Sequence, residues 1–368
     1  MAHLPAPHAP AAFGLVLSRR QALALLAGAA ARPAWALPPR QLAFPRDHGA
    51  HPGFRTEWWY ITGHLRAGTG RDFGFQVTFF RTRVDAAQAI ESRFAARQLI
   101  FAHAAVTDLD GQRLLHDQRI ARAGFGIAEA AEDDTRVRLR DWQLERGQDG
   151  RYHALVPAEG FTLDLRFEPT QPLLLQGAQG LSRKGPQASQ ASYYYSQPQM
   201  RASGLLRVAG REFEGTGRAW LDHEWSEELL HPDAVGWDWV GMNLDDGGAL
   251  TAFRLRRADG SAVWDGGSFR APGQPVRAFD AGHTVFTPIT WWTSPRSKAR
   301  YPVTWRLQCP AGDFTVRALL VDQELDSRAS TGAVYWEGLS ELLDAQGRRV
   351  GTGYLEMTGY VGPLRLGG

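Results

Sequence analysis

Cysteine is almost absent: Cys309 is the only one in 368 residues, so no disulfide can form within the chain. It also lies far from the N-terminus, which excludes lipid attachment to a cysteine beside a leader cleavage site. No apolar run reaches the roughly 20 residues that a transmembrane helix needs. The basic excess is small, Lys+Arg 41 against Asp+Glu 39, with no clustered basic patch to suggest nucleic acid. Neither an HExxH nor a paired-cysteine motif occurs, so no local metal motif is present. There is no serine-centred nucleophile elbow. The glycine-rich turns lack the strand–loop–helix context of a nucleotide site. Segments with helical periodicity are scarce.

What is present begins with a leader. Arg19-Arg20 precedes the apolar run Ala22–Ala31, and Ala34-Trp35-Ala36 supplies a small-x-small cleavage site. This order predicts a twin-arginine signal peptide over residues 1–36, cleaved near Ala36. Its removal takes away three arginines and no acid, leaving 38 basic against 39 acidic residues. The mature protein is expected to be periplasmic and not an integral membrane protein.

The remainder reads as all-β. Forty glycines and 13 tryptophans are spread among short alternating segments such as Phe161–Phe167, Ala249–Leu255 and Tyr301–Leu307. Asp-Gly turn signals recur at 110–111, 149–150, 246–247 and 259–260. Only Asp85–Arg97 reads as a helix, carried on a loop between strands. The length predicts two domains. An internal repeat agrees: Trp58-Trp59-Tyr60 matches Trp237-Asp238-Trp239, and Gly215-Thr216-Gly217 matches Gly351-Thr352-Gly353, in the same order. Two packed antiparallel β-barrels are predicted, over 37–228 and 229–368, with the join near 225–235.

The densest chemistry is "GRAWLDHEWS", residues 217–226. On a strand, alternate side chains share a face. His223 and Trp225 then lie on one face, and Asp222 and Glu224 on the other, so these residues cannot close around one metal ion. His223 with Trp225 suits a pocket, where an indole face stabilises a developing cation and the histidine moves protons. The same pair equally suits a scaffold that braces a barrel end. In Glu57-Trp58-Trp59-Tyr60, Trp58 and Tyr60 share one side and Trp59 takes the other. Arg55 and Glu57 are expected to form a buried ion pair that fixes register, or else to contact ligand. Trp58, Tyr60, Tyr195, Trp237 and Trp239 are the candidate ligand-binding aromatics, and Asp222, His223, Glu224 and Trp225 the candidate catalytic residues.

Taken together, "HPGFRTEWWYITGHL" (51–65), "FAHAAVTDL" (101–109), "YYYSQPQM" (193–200), "GRAWLDHEWS", "GWDWVGMNLDDG" (236–247), "YWEG" (335–338) and "GTGYLEMTGY" (351–360) resemble the AttH-like, lipocalin-related family that includes carotenoid 1,2-hydratases. The resemblance spans His51 to Tyr360. It implies two lipocalin-like barrels, an apolar cavity and a lipophilic, isoprenoid- or lipid-like ligand, with no cofactor. It also implies an envelope role beside an exporter of the ABC type. In hydratase relatives an acid protonates a terminal isoprenoid double bond and water adds to the carbocation. The His-x-Trp pair of those relatives maps onto His223 and Trp225. Their Tyr-x-Asp pair has no counterpart in Leu250–Leu255, so the proton donor would fall to Asp222, Glu224 or Asp238. Two classes follow, a lipophile-binding protein or a cofactor-free lyase or hydrolase, with an empty barrel used purely as an interaction module as a third possibility. An acid and a histidine facing the cavity would favour the enzyme.

Overall fold

The computed structural model describes residues 37–228 and 230–364. The leader lies outside the described residues. Among those described, no helix is long and apolar enough to cross a membrane.

Two antiparallel sheets account for the chain. The first has 13 strands within residues 56–226, and the second has 10 within residues 236–357. Residues 227–235 join them. In each sheet the first strand pairs with the last: Thr56–Ala67 lies beside Arg211–Ser226, and Gly236–Leu244 beside Arg349–Met357. That pairing curls each sheet toward a barrel. The first is nearly closed. Across its seam Arg119 Nη2 donates to Pro157 O (3.1 Å), and Glu159 N donates to Asp117 Oδ2 (3.1 Å).

The repeated Gly-Thr-Gly has one physical cause in both sheets. A Cβ on Gly217 would stand 1.8 Å from His64 O, and one on Gly353 would stand 1.9 Å from Gly241 O. Only glycine lets the last strand approach the first this closely.

Each barrel has its own core. Trp59, Phe75, Phe79, Trp142, Leu163, Leu165 and Phe167 fill the first; Met242, Trp305, Trp336 and Met357 fill the second. A third cluster, with Tyr60, Trp220, Trp239, Phe253, Leu339 and Tyr354, packs between the sheets. Polar bonds lock this junction. Gln199, in left-handed conformation at a bulge between Gln197 and Met200, donates from its backbone N to Asn243 Oδ1 and from Nε2 to Leu244 O and Gly248 O.

Asp85–Arg97 is not a helix. It holds a single 3₁₀ turn, Asp85–Ala87, followed by turns. Its large apolar residues, Ile90 and Phe94, face solvent and only Ala87 is buried, so no buried stripe stabilises a helix there.

Candidate functional site

Register builds the site. Tyr60 stands opposite Asp222, which stands opposite Ser196; one row over, Trp58 stands opposite Glu224, which stands opposite Tyr194. These two rows form the face of the first sheet that looks toward the second. From the second sheet, Trp239 stands opposite Glu356, and Glu356 opposite Glu337. The rows enclose a cavity of about 560 Å3, walled by Trp58, Tyr60, Tyr194, Trp237, Trp239 and Phe253. The facing rows bring Asp222, Glu224, Glu337 and Glu356 to it, with Lys184 and His103 beside them; Glu57 and Asp85 also line it.

The acids differ in their surroundings. Asp222 collects three donors: Ser196 Oγ (2.5 Å) and Trp220 Nε1 (2.7 Å) on Oδ1, and Tyr194 OH (2.6 Å) on Oδ2. Burial nevertheless outweighs these bonds and pushes its pKa up to about 7. Glu356 is likewise raised to about 7 by burial, although Trp237 Nε1 donates to it (3.0 Å). Glu337 is raised well above the ordinary range, by burial and by the charge of Glu356. The Tyr60 hydroxyl beside Glu337 works the other way, favouring the charged carboxylate, but does not outweigh burial. Glu224 pairs with Lys184 Nζ (2.9 Å) and accepts from Ser192 Oγ (2.5 Å). The Lys184 ammonium lies 4.8 Å from the Tyr194 ring and 4.3 Å from that of Phe253. His103 sits between Tyr335 OH and Ser330 Oγ, 2.8 Å from each, and burial lowers its pKa to about 3.

The other face of "DHEW" points into the first barrel. His223 stacks on Trp59 at 4.7 Å, and Trp225 stacks on His51 at 3.8 Å. His223 Nε2 lies 3.0 Å from Glu57 Oε1, and its Nδ1 lies 3.1 Å from Tyr195 OH, which continues 2.8 Å to His48. Burial lowers the His223 pKa to about 4. Burial works to raise Glu57, but hydrogen bonds from His223 and His51 outweigh it and hold the carboxyl far below its usual range. Arg81 Nε donates to Glu57 Oε2 (2.7 Å).

His51, Glu57 and His223 present one donor atom each within 4.8 Å of one another, a spacing that a metal ion could bridge. Their atoms are engaged in the hydrogen bonds above, and the Arg81 guanidinium occupies the same carboxylate, so a dication would face a fixed positive charge.

Several sequence expectations change. The face with Asp222 and Glu224, not the face with His223 and Trp225, lines the inter-sheet cavity. Tyr194 lines it in place of Tyr195. Asp238 points into the second barrel, where Arg254 Nε (2.7 Å) and Tyr360 OH (2.8 Å) donate to it. Glu57 is bound by Arg81, His51 and His223, all buried. Trp58, Tyr60, Trp237 and Trp239 do line the cavity. Glu337, Glu356 and Lys184 were not singled out. The first two sit inside the motifs "YWEG" and "GTGYLEMTGY", and Lys184 is one of only two lysines in an arginine-rich chain.

The AttH-like family profile matches residues 35–360, so the chain belongs to the AttH-like family. A crystal structure of a protein described as a candidate AttH from Nitrosomonas europaea shares 48% identity, covers 88% of this chain and 99% of its own, and superposes with a TM-score of 0.83. Kievitone hydratase from Nectria haematococca shares 14% identity over 86% of this chain and 93% of its own, with a TM-score of 0.68. CghA shares 14% over 87% and 94%, with a TM-score of 0.52. At this identity the last two show a common fold. No curated protein matches the sequence.

Proposed function

Starting from a chain of the AttH-like family, we propose that the protein binds a lipophilic, isoprenoid- or lipid-like molecule in the cavity between its two barrels, as an exported periplasmic protein. The cavity carries this reading. Its volume of about 560 Å3 lies within the usual range of small-molecule sites, about 300–1,000 Å3, and its walls carry the rings of Trp58, Tyr60, Tyr194, Trp237, Trp239 and Phe253. The Tyr60 hydroxyl and the Glu337 carboxyl offer a donor and an acid to a polar end group. Native mass spectrometry of protein purified from periplasm, with lipid extraction, tests it. A protein that emerges empty and binds no isoprenoid or fatty acid overturns it. Replacing Arg19 and Arg20 with lysine tests the route: precursor should accumulate in the cytoplasm, and normal maturation would exclude twin-arginine export.

A second reading rests on the divided acids. Groups whose environments push their pKa values apart mark acid and base roles. Glu337, held uncharged by burial, protonates a terminal alkene. The Trp58, Trp237 and Trp239 faces stabilise the tertiary cation. Water adds to that cation, Asp222, near its midpoint at neutral pH, takes the proton that the water releases, and exchange with solvent returns a proton to Glu337 as Asp222 gives its own up. The net reaction is alkene hydration, in line with the hydratase among the structural neighbours. Incubation with an isoprenoid alkene in oxygen-18 water should place the label in a tertiary alcohol. Unlabelled, unchanged alkene leaves binding alone.

A further inference from the structure

A second surface feature adjoins the cavity mouth. Phe94 and Phe125 are 65% and 47% exposed, with their rings stacked at 5.6 Å and nearly parallel. Ile90 and Ile127 flank them, also exposed. The two loops are tied together, since Ala123 N donates to Gln98 O (2.9 Å) and Arg122 Nη1 donates to Phe94 O (2.7 Å). Phe125 sits at φ 60°, between Gly124 and Gly126, both also at positive φ. A bulky ring held in this conformation at a loop tip, facing water, is disfavoured twice over.

Around the rings stand arginines. Arg122 lies 4.0 Å over the Phe125 ring, and Arg93 lies 5.7 Å from both rings. Arg97 Nη2 donates to Ile90 O (2.6 Å), and Arg140 N donates to Ile127 O (2.7 Å). None of these four arginines has an ion-pair partner among the described residues, whereas nearby Arg119 and Arg138 are paired with Asp141 and Glu129. The one acid of the Phe94 loop tip is Glu91, so the patch carries a positive excess. It runs on into the cavity. Arg122 stands opposite Leu99 and Ile120 opposite Phe101, and Leu99, Phe101 and Ile120 line the cavity with Val84 and Ala86 from the base of the Phe94 loop.

We propose that this patch docks on an anionic phospholipid bilayer, with Phe94, Phe125, Ile90 and Ile127 entering the interface and Arg93, Arg97, Arg122 and Arg140 facing the headgroups. Exposed aromatic and aliphatic side chains within a cationic rim are the chemistry of interfacial anchoring. Continuity with the cavity gives docking a purpose: a lipophile passes between membrane and cavity without crossing water. The inference rests on the lipophile-binding reading for that purpose, while the docking itself is measured separately.

The test is flotation of the mature protein with vesicles of phosphatidylglycerol and phosphatidylcholine, against pure phosphatidylcholine. Binding of cis-parinaric acid, a fluorescent fatty acid, is followed in parallel without vesicles. The protein should float with the anionic vesicles and lose this in high salt. Phe94→Ser/Phe125→Asn should float at least tenfold less, with asparagine chosen because it tolerates positive φ. Arg93→Gln/Arg140→Gln, which removes no side-chain hydrogen bond, should weaken flotation on anionic vesicles only. All variants should bind cis-parinaric acid as the parent does, which also shows that they are folded. A parent that stays unbound, a phenylalanine variant that floats equally, or a parent dimer that the variant converts to monomer overturns the proposal. Flotation without fatty-acid binding retains the docking surface and sinks the lipophile reading instead.

Discussion

Lys184 Nζ lies 2.9 Å from Glu224, and both side chains are buried, 7% and 6% exposed. A buried pair of this kind is costly to break, because the surviving charge loses its partner without regaining water. Lys184→Met should therefore destabilise the protein by about 3–5 kcal/mol. Lys184→Met/Glu224→Leu should recover most of that loss, since an apolar pair of similar volume carries no orphan charge. Denaturant melts of the two variants decide the point. Equal losses in both would mean that packing, rather than charge, holds this corner.

His223→Ala probes the barrel interior. The ring fills the space between Trp59 and Trp225 and bonds both Glu57 and Tyr195. Its removal leaves a cavity and two buried polar atoms short of a partner. The expected cost is about 2–5 kcal/mol, well above that of a single lost hydrogen bond. Ligand binding by the folded fraction should not change, because the ring lies on the far face of its strand from the inter-sheet cavity. Weakened binding with an unchanged melt would return His223 to the site.

The pH dependence of stability has two opposed sources. Asp222, with a folded pKa of about 7 against an ordinary 3.8, keeps a proton that the unfolded chain has lost. Its contribution is therefore present at low pH and declines as pH rises from about 4 to 7. Glu356 acts in the same direction. His48, His103 and His223, lowered to about 3, 3 and 4 from 6.5, act oppositely and add stability as pH rises toward 6.5. A difference profile isolates one group. Relative to wild type, Asp222→Asn should gain stability from pH 4 to 7, by about 1.4 kcal/mol per unit at its steepest. A flat difference across that range would show that Asp222 titrates normally.

Strand alternation made much of this legible. It separates Trp58 and Tyr60 from Trp59, and Asp222 and Glu224 from His223 and Trp225, and the structure keeps both divisions. The repeated Gly-Thr-Gly marked the same first-to-last strand contact in both sheets. Alternation could not say which face looks into the cavity, because these strands are buried on both sides, one against a barrel core and one against the neighbouring sheet. Glu337 and Glu356 were hidden for a related reason. Their meeting depends on register between Ala333–Leu343 and Arg349–Met357, a relation that no local pattern records. The segment 85–97 misled because its large apolar residues face water rather than a core.

Glu337→Gln is the sharpest probe of the cavity. Glutamine keeps the shape and the hydrogen-bonding capacity but has no proton to give to carbon. The Tyr60 hydroxyl is the hydrogen-bonding neighbour of Glu337, and the amide oxygen of glutamine can accept from it in the same way. Stability should change little or rise slightly, since a buried ionisable group is removed. Binding of a lipophile should stay within about twofold. If the cavity hydrates an alkene, turnover should fall by about 10²–10⁴, the usual contribution of a general acid. Asp222→Asn should slow the same reaction because Asp222 takes up the proton that water releases, while Glu356→Gln should affect it less because Glu356 has no part in these proton transfers. The measurement is oxygen-18 incorporation per unit of bound alkene. Hydration that survives Glu337→Gln at the parent rate would remove Glu337 from the reaction and leave the cavity as a carrier site alone.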